Sequence, residues 1–336
     1  MNTTRRSFFT VLFSLVTGLV LSLPVSATPI SGELFYTTFS GGVNVHKVNY
    51  SYDGVSTFTL SGNTGIASVF GADGISGNPN DANSLFIGGQ GPRIHRVSKT
   101  GTLIQTLATP NDIFHLEVSD SSTLYGAGIP SFGSFTRATI NLDGSLSAAT
   151  AMSIVGGTGS LTQIITTPSG DFYTSSGAGG NGTFGTVSIV GTIATLTPIN
   201  GIYPAAHGGV YDPFTDNIIL FGDGHITQID LFGTIMSDIG GFGGSLDQGT
   251  VDGLGHVFAA NNNGDLTFID YSVSGLIASG FSSTQFLAAS LDDIAPLVGA
   301  GSTDGTVPEP ATIVLMGLGL LGLGFSRHKA RNSMIA

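Results

Sequence analysis

The chain has 336 residues, a formal net charge of −12 and no cysteine, which excludes disulfide staples, thiol chemistry, cysteine-ligated zinc and a lipidated N-terminal cysteine. Stability must therefore come from a packed core, which a body of this length can build in one large or two smaller domains. Between residues 28 and 310 only Lys47, Arg93, Arg96, Lys99 and Arg137 stand against all 22 Asp and Glu residues, and a body so acidic excludes nucleic acid as a partner, because phosphate binding needs a basic face.

The first element in chain order is a targeting segment. Arg5 and Arg6 precede an apolar run from Phe8 to Leu23, and Val25-Ser26-Ala27 then offers small residues for a peptidase. Residues 1–27 are expected to be a secretory signal peptide, with the mature chain starting at Thr28. Thr4-Arg5-Arg6-Ser7-Phe8-Phe9 also resembles the start of a twin-arginine export signal, so the export route stays open.

From residue 28 to 298 the pattern predicts an all-β body. Glycine is abundant, and short Val, Ile, Thr, Phe and Tyr runs are broken by Gly, Asp and Asn, which reads as strands and turns. The runs Leu85–Gly88, Leu124–Ala127, Phe172–Ser175, Ile218–Phe221 and Val257–Ala260 recur at spacings of 39, 48, 46 and 39 residues. That period fits four-stranded propeller blades. Each run has a strand and a turn before it and two strands after it. A further unit is split: "GELFYTTF" at 32–39 lacks an inner partner upstream, and "FLAASLDDIAPL" at 286–297 can supply it from the far end. The expected fold is a six-bladed β-propeller whose first blade is closed by one C-terminal strand and three N-terminal ones, leaving no long open edge. The repeats resemble those of NHL-type six-bladed propellers; a β-helix or paired β-sandwiches are the alternative architectures.

Chemical motifs within the body are few. Gly177-Ala178-Gly179-Gly180-Asn181-Gly182 has G-x-G-x-x-G spacing, but the "TFGTVSIV" after it reads as a strand rather than a helix, so the stretch is a hairpin loop and not a phosphate cradle. "NNNGD" at 261–265 is likewise expected to be a tight hairpin rather than a calcium loop. Aligning the inner-strand turns produces one constellation. Five positions before each turn stand Asp73, His115, Gln163, His207, Asp247 and Asp292, all polar, on strands that would line the central channel. Two histidines with three carboxylates there are the donor set for a divalent cation, the one cofactor this sequence points to. A hydrated ring that satisfies strand ends through water is the bland counterpart.

After the body, residues 299–306 read as a flexible Gly-rich linker. Val307-Pro308-Glu309-Pro310 follows, then 15 uncharged residues from Ala311 to Phe325 and a basic end containing Arg327, Lys329 and Arg331. At ~1.5 Å per residue such a run reaches only marginally across a ~30 Å hydrocarbon core, and the basic end would hold it on the cytoplasmic side. The three parts, in this order and place, resemble the PEP-CTERM sorting signal over residues 307–336. The resemblance implies a single membrane-spanning helix, processing by exosortase, a transient inner-membrane intermediate, and delivery to the surface or matrix of a Gram-negative bacterium. It leaves the body's role open between a non-catalytic module that presents loops to extracellular polysaccharide and biofilm, and an extracellular propeller enzyme, such as a lactonase-like hydrolase or a lyase, with a channel cation.

Overall fold

Twenty-four strands and one short 3-10 turn make up the described part of the chain, residues 27–128, 134–157, 161–175, 182–199 and 201–303 of a computed structural model. The expected signal peptide (but for Ala27) and the whole sorting tail lie outside the described residues, as does most of the Gly177–Gly182 stretch.

The strands assemble as repeated four-stranded meanders. Blade 1 takes β1 (Ile30–Thr38), β2 (Val45–Tyr52) and β3 (Phe58–Ala67), with β24 (Leu291–Ile294) paired antiparallel to β1 on its inner side. Blade 2 is β4 (Ala72–Gly77) to β7 (Leu103–Ala108), with β5 (Ser84–Gly89) and β6 (Arg93–Ser98) between. Blade 3 runs from β8 (His115–Asp120) through β9 (Thr123–Ala127) and β10 (Ser134–Ile140) to β11 (Leu146–Gly156). Blade 4 runs from β12 (Gln163–Thr167) through β13 (Gly170–Ser175) and β14 (Thr183–Val190) to β15 (Ile193–Pro198). Blade 5 is β16 (Gly208–Asp212) to β19 (Ile235–Gly240), and blade 6 is β20 (Leu246–Val251), β21 (His256–Asn261), β22 (Asp265–Asp270) and β23 (Phe281–Phe286). The six inner strands touch in the cyclic order β24, β4, β8, β12, β16, β20 and back to β24. The body is a six-bladed β-propeller closed through its split first blade.

Packing explains why the second strand of each blade reads as a continuous apolar run. A blade is covered by a neighbour on both faces, so alternate side chains serve opposite interfaces. On β5, Leu85 and Ile87 pack toward Phe35 and Val45 of blade 1, whereas Phe86 packs toward Leu116 and Leu124 of blade 3. The same division makes six apolar clusters, one per blade junction. The last, between blades 6 and 1, joins Phe258 and Phe268 to Leu34, Val48, Leu291 and Ile294.

Turns absorb much of the acidity. Asp53 Oδ1 accepts from the backbone N–H groups of Val55, Ser56 and Thr57, and Asp230 Oδ1 accepts from those of Phe232 and Thr234. Such turns hold the carboxylate by local amides. "NNNGD" is a turn of this kind, with Asn261 Oδ1 accepting from Asn263 N and Gly264 at φ 105°.

The structure departs from the sequence reading in three places. The inner strand of blade 1 is only Leu291–Ile294; Phe281–Phe286 belongs to the outer edge of blade 6, because Phe286 pairs with Asp265. Blades 3 and 4 are one eight-stranded sheet, since the long β11 runs past β10 and pairs in parallel with β15, which covers two edges that would otherwise be open. Finally, the described part of the expected linker is not a free spacer. The N–H of Gly77 donates to Gly301 O at 2.8 Å, Thr303 N donates to Pro296 O at 2.9 Å, and the Lys99 ammonium donates to Thr303 O, so residues 296–303 fold back across the ends of the inner strands.

Candidate functional site

The near mouth of the channel, where the inner strands begin, is shaped by three β-bulges in consecutive blades. In β20, Leu246 pairs with Asn261 and Gly249 with Ala259; in β24, Leu291 and Ile294 pair with Thr38 and Tyr36; in β4, Ala72 and Ile75 pair with Gly89 and Ile87. Each inner strand therefore has one residue more than its partner, and a bulge of this kind re-aims side chains. Two adjacent residues leave the blade each time: Asp247 with Gln248, Asp292 with Asp293, and Asp73 with Gly74. Position 74 must be glycine for this, because a Cβ would lie 2.6 Å from Phe114 O and 2.9 Å from His115 Cα. Thr37 ties two bulges together: its hydroxyl donates to Asp73 O and accepts from Asp293 N at 3.2 Å.

The other three inner strands contribute His115, Gln163 and, just before β16, His207. The six residues aligned by sequence thus meet at one mouth. His115, His207 and Asp247 can offer ligand atoms within 4.8 Å of one another, and Asp73, Asp292 and Asp293 form a second such triad. His207 Nε2 stands 2.6 Å from Asp247 Oδ1, and the two imidazoles meet edge to face with centroids 5.1 Å apart. All but His207 are buried.

Sequence reasoning missed Asp293 and Gln248. Asp293 Oδ2 lies 3.2 Å from His115 Nδ1 and fixes that ring. Gln248, with its amide set by its neighbours, donates from Nε2 to Asp293 Oδ2 at 2.7 Å and accepts from Gln163 Nε2 at 2.6 Å. Gln163 Oε1 in turn accepts from Gly209 N at 2.7 Å. Gln163 is thus a link in a hydrogen-bonded chain across five blades and not a member of either triad. Their common signal was legible: "LDQG", "LDDI" and "ADGI" each break strand alternation with two adjacent non-apolar residues.

Electrostatically the mouth is strained. Burial and repulsion from Asp293 and Asp247 push the Asp73 carboxyl well above its usual range, and burial with repulsion from Asp73, Asp247 and Asp293 does the same to Asp292. Burial also raises Asp293, against the pull of His115. Burial acts to lower His115, but Asp293, Asp247 and Asp73 overcome it and lift the imidazole to about 10. Burial would raise Asp247 too, yet His207 and His115 hold it below the usual range. Asp292 Oδ2 is buried with no hydrogen-bond partner among the described residues.

Residues 306–328 match the PEP-CTERM protein-sorting motif, which makes the chain an exported protein, held transiently in the membrane and sorted by exosortase. No curated protein matches the chain in sequence. Among solved structures it is similar to the C-terminal WD40 domain of Sif2, at 12% identity and a TM-score of 0.45 over 79% of this chain and 82% of that one. It is also similar to a protein of unknown function from Bacteroides caccae, at 10% identity and a TM-score of 0.47 over 78% of this chain and 97% of that one.

Proposed function

We propose that the exported propeller is a non-catalytic binding module of the cell surface or extracellular matrix of a Gram-negative bacterium, and that its near mouth holds a divalent cation through which it engages extracellular polysaccharide of a biofilm. The observation that carries the cation is the convergence of Asp73, Asp247, Asp292 and Asp293 on two imidazoles, with the buried Asp292 Oδ2 left unpartnered. Buried carboxylates at this density need either protons or a cation to neutralise them.

The residues fit such an ion. His115, His207 and Asp247 are one donor set, with Asp73 and Asp292 in the neighbouring acidic triad, while Asp293 holds the His115 ring from behind, as a carboxylate behind a ligating histidine does. Mixed imidazole and carboxylate donors suit Mn²⁺ or Zn²⁺ better than Ca²⁺, which takes oxygen ligands. An ion at a channel mouth can keep positions open for sugar hydroxyl or carboxylate oxygens, which is the support for a polysaccharide partner.

Melting of metal-stripped protein with and without Mn²⁺ or Zn²⁺ tests the cation. A ligand at roughly 100 times its Kd adds about 2.7 kcal/mol; an unchanged melting temperature together with no metal by elemental analysis would overturn the reading. The 2.6 Å His207–Asp247 pair also supports a second reading, an extracellular hydrolase or lyase in which this pair moves a proton. Turnover of lactone or uronate substrates by the metal-loaded protein, lost in His207→Ala, would favour it.

A further inference from the structure

The opposite end of the channel holds a cavity of about 830 Å³, away from the residues proposed to hold the cation. It lies among the far ends of β8, β12 and β16 and is roofed by the fold-back after β24, residues 296–301. Its walls are mainly apolar, with Ile165, Val210, Tyr211, Phe214 and Leu254 prominent among them. Phe214 and Leu254 remain 40% and 47% exposed, large apolar side chains at the rim of an opening. The size and lining are those of a small-molecule site.

One carboxyl lines it. Glu117 follows His115 by two residues on the same face of β8, so it points into the channel as well, roughly 7 Å deeper. Thr166 N donates to its Oε1 at 3.0 Å, which fixes the carboxyl against β12. The equivalent positions on β12 and β16 are Ile165 and Gly209. Among the described residues that line the cavity there is no lysine, arginine or histidine, so none of them supplies a cation to neutralise Glu117. Burial pushes the Glu117 carboxyl up to about 8, with repulsion from Asp171 of β13 adding to it, and the cross-strand neighbour of Glu117 is Tyr125.

From this geometry we infer that the far cavity binds a small molecule with a compact apolar body and a single ammonium group, the ammonium addressed to Glu117 and the body set against Tyr211, Phe214 and Leu254. An anion would meet a carboxylate with no compensating cation. A neutral apolar molecule would fill the walls but leave the carboxyl unmatched. An amine satisfies both parts, aromatic faces favour an adjacent cation, and the surrounding acidic surface steers cations inward. The inference stands apart from the cation at the near mouth.

The test is a matched series on one skeleton: 1-aminoadamantane, 1-adamantanol and adamantane-1-carboxylate, titrated calorimetrically into the exported body in buffer with EDTA. The amine is expected to bind one per chain, at least tenfold tighter than the alcohol, with no heat from the carboxylate. Glu117→Gln should bring the amine down to the level of the alcohol with the melting temperature held, which also excludes amine bound at the acidic near mouth. Ala300→Trp, a change on an exposed roof residue, should block amine and alcohol alike. An amine that does not bind, that binds no better than the alcohol, or that binds Glu117→Gln as well as the parent would overturn the inference.

Discussion

His115 Nδ1 and Asp293 Oδ2 stand 3.2 Å apart across the channel mouth although 178 residues separate them in the chain. The contact exists because β24 returns to close blade 1 and because its bulge turns two adjacent aspartates inward. Asp293 is therefore a positioning residue for the proposed cation. Asp293→Asn should weaken Mn²⁺ binding by roughly 10- to 100-fold, read by calorimetry, while the metal-free protein melts no lower, since one buried carboxylate fewer needs neutralising. A fall in metal-free melting temperature with unchanged Mn²⁺ affinity would make the residue purely structural.

Much of this was legible in the chain. The recurrence of apolar runs such as Leu85–Gly88 and Ile218–Phe221 fixed blade number, since a strand buried on both faces keeps an unbroken apolar stretch wherever it recurs. The six aligned polar residues followed from the same register. Asp293 and Gln248 escaped because alignment by strand period assumes one inward residue in two, and a bulge breaks that rule locally. The parallel pairing of β11 with β15 left no mark, because outer-edge strands alternate alike whether or not a further strand lies beside them.

Arg96 provides a stability test away from either mouth. It is buried at 9% exposure, its Nη2 donates to Asp81 Oδ2 at 2.8 Å and to Asp143 O of blade 3 at 3.1 Å, and its Nε donates to Ser84 Oγ. Arg96→Ala should cost about 2 kcal/mol, between the values typical of surface and fully buried pairs. The hydrogen bond from Arg96 holds the Asp81 carboxyl below its usual range. Its stabilisation is thus complete above the ordinary carboxylate pKa of about 4 and is lost as pH falls through the lower folded value. Urea melts of parent and variant should therefore differ by less at acid pH than at pH 7, and a difference that grew on acidification would contradict this pairing.

The tail makes a prediction about processing. Replacing Pro308, Glu309 and Pro310 by alanine leaves the apolar run and the basic residues Arg327, Lys329 and Arg331 intact, so the protein should stay membrane-associated but uncleaved at full mature length. Mass spectrometry of membrane and extracellular fractions reads the outcome. Wild-type processing of the triple variant would show that recognition does not pass through these residues.

The split blade sets where the chain can be cut. Leu291 and Ile294 are fully buried and pack with Leu34 and Phe258 across the junction of blades 6 and 1, and Leu297 joins the same cluster. Losing two such side chains removes roughly 2 to 5 kcal/mol each, already a large part of the 5 to 15 kcal/mol that holds a domain folded. Removing β24 also exposes the inner edge of β1 and takes Asp292 and Asp293 from the near mouth. A chain ending at Ala288 should therefore lose its cooperative thermal transition, whereas a chain ending at Thr303 keeps both β24 and the fold-back whose Gly301 carbonyl holds Gly77, and should melt like the full body. A chain ending at Leu297 separates the two contributions. It retains the closing strand but not the Gly77–Gly301 and Pro296–Thr303 hydrogen bonds, so it should fold and melt a few degrees lower, by about 1 kcal/mol for each bond lost. If the chain ending at Ala288 melted like the one ending at Thr303, closure through β24 would not be what holds the ring together.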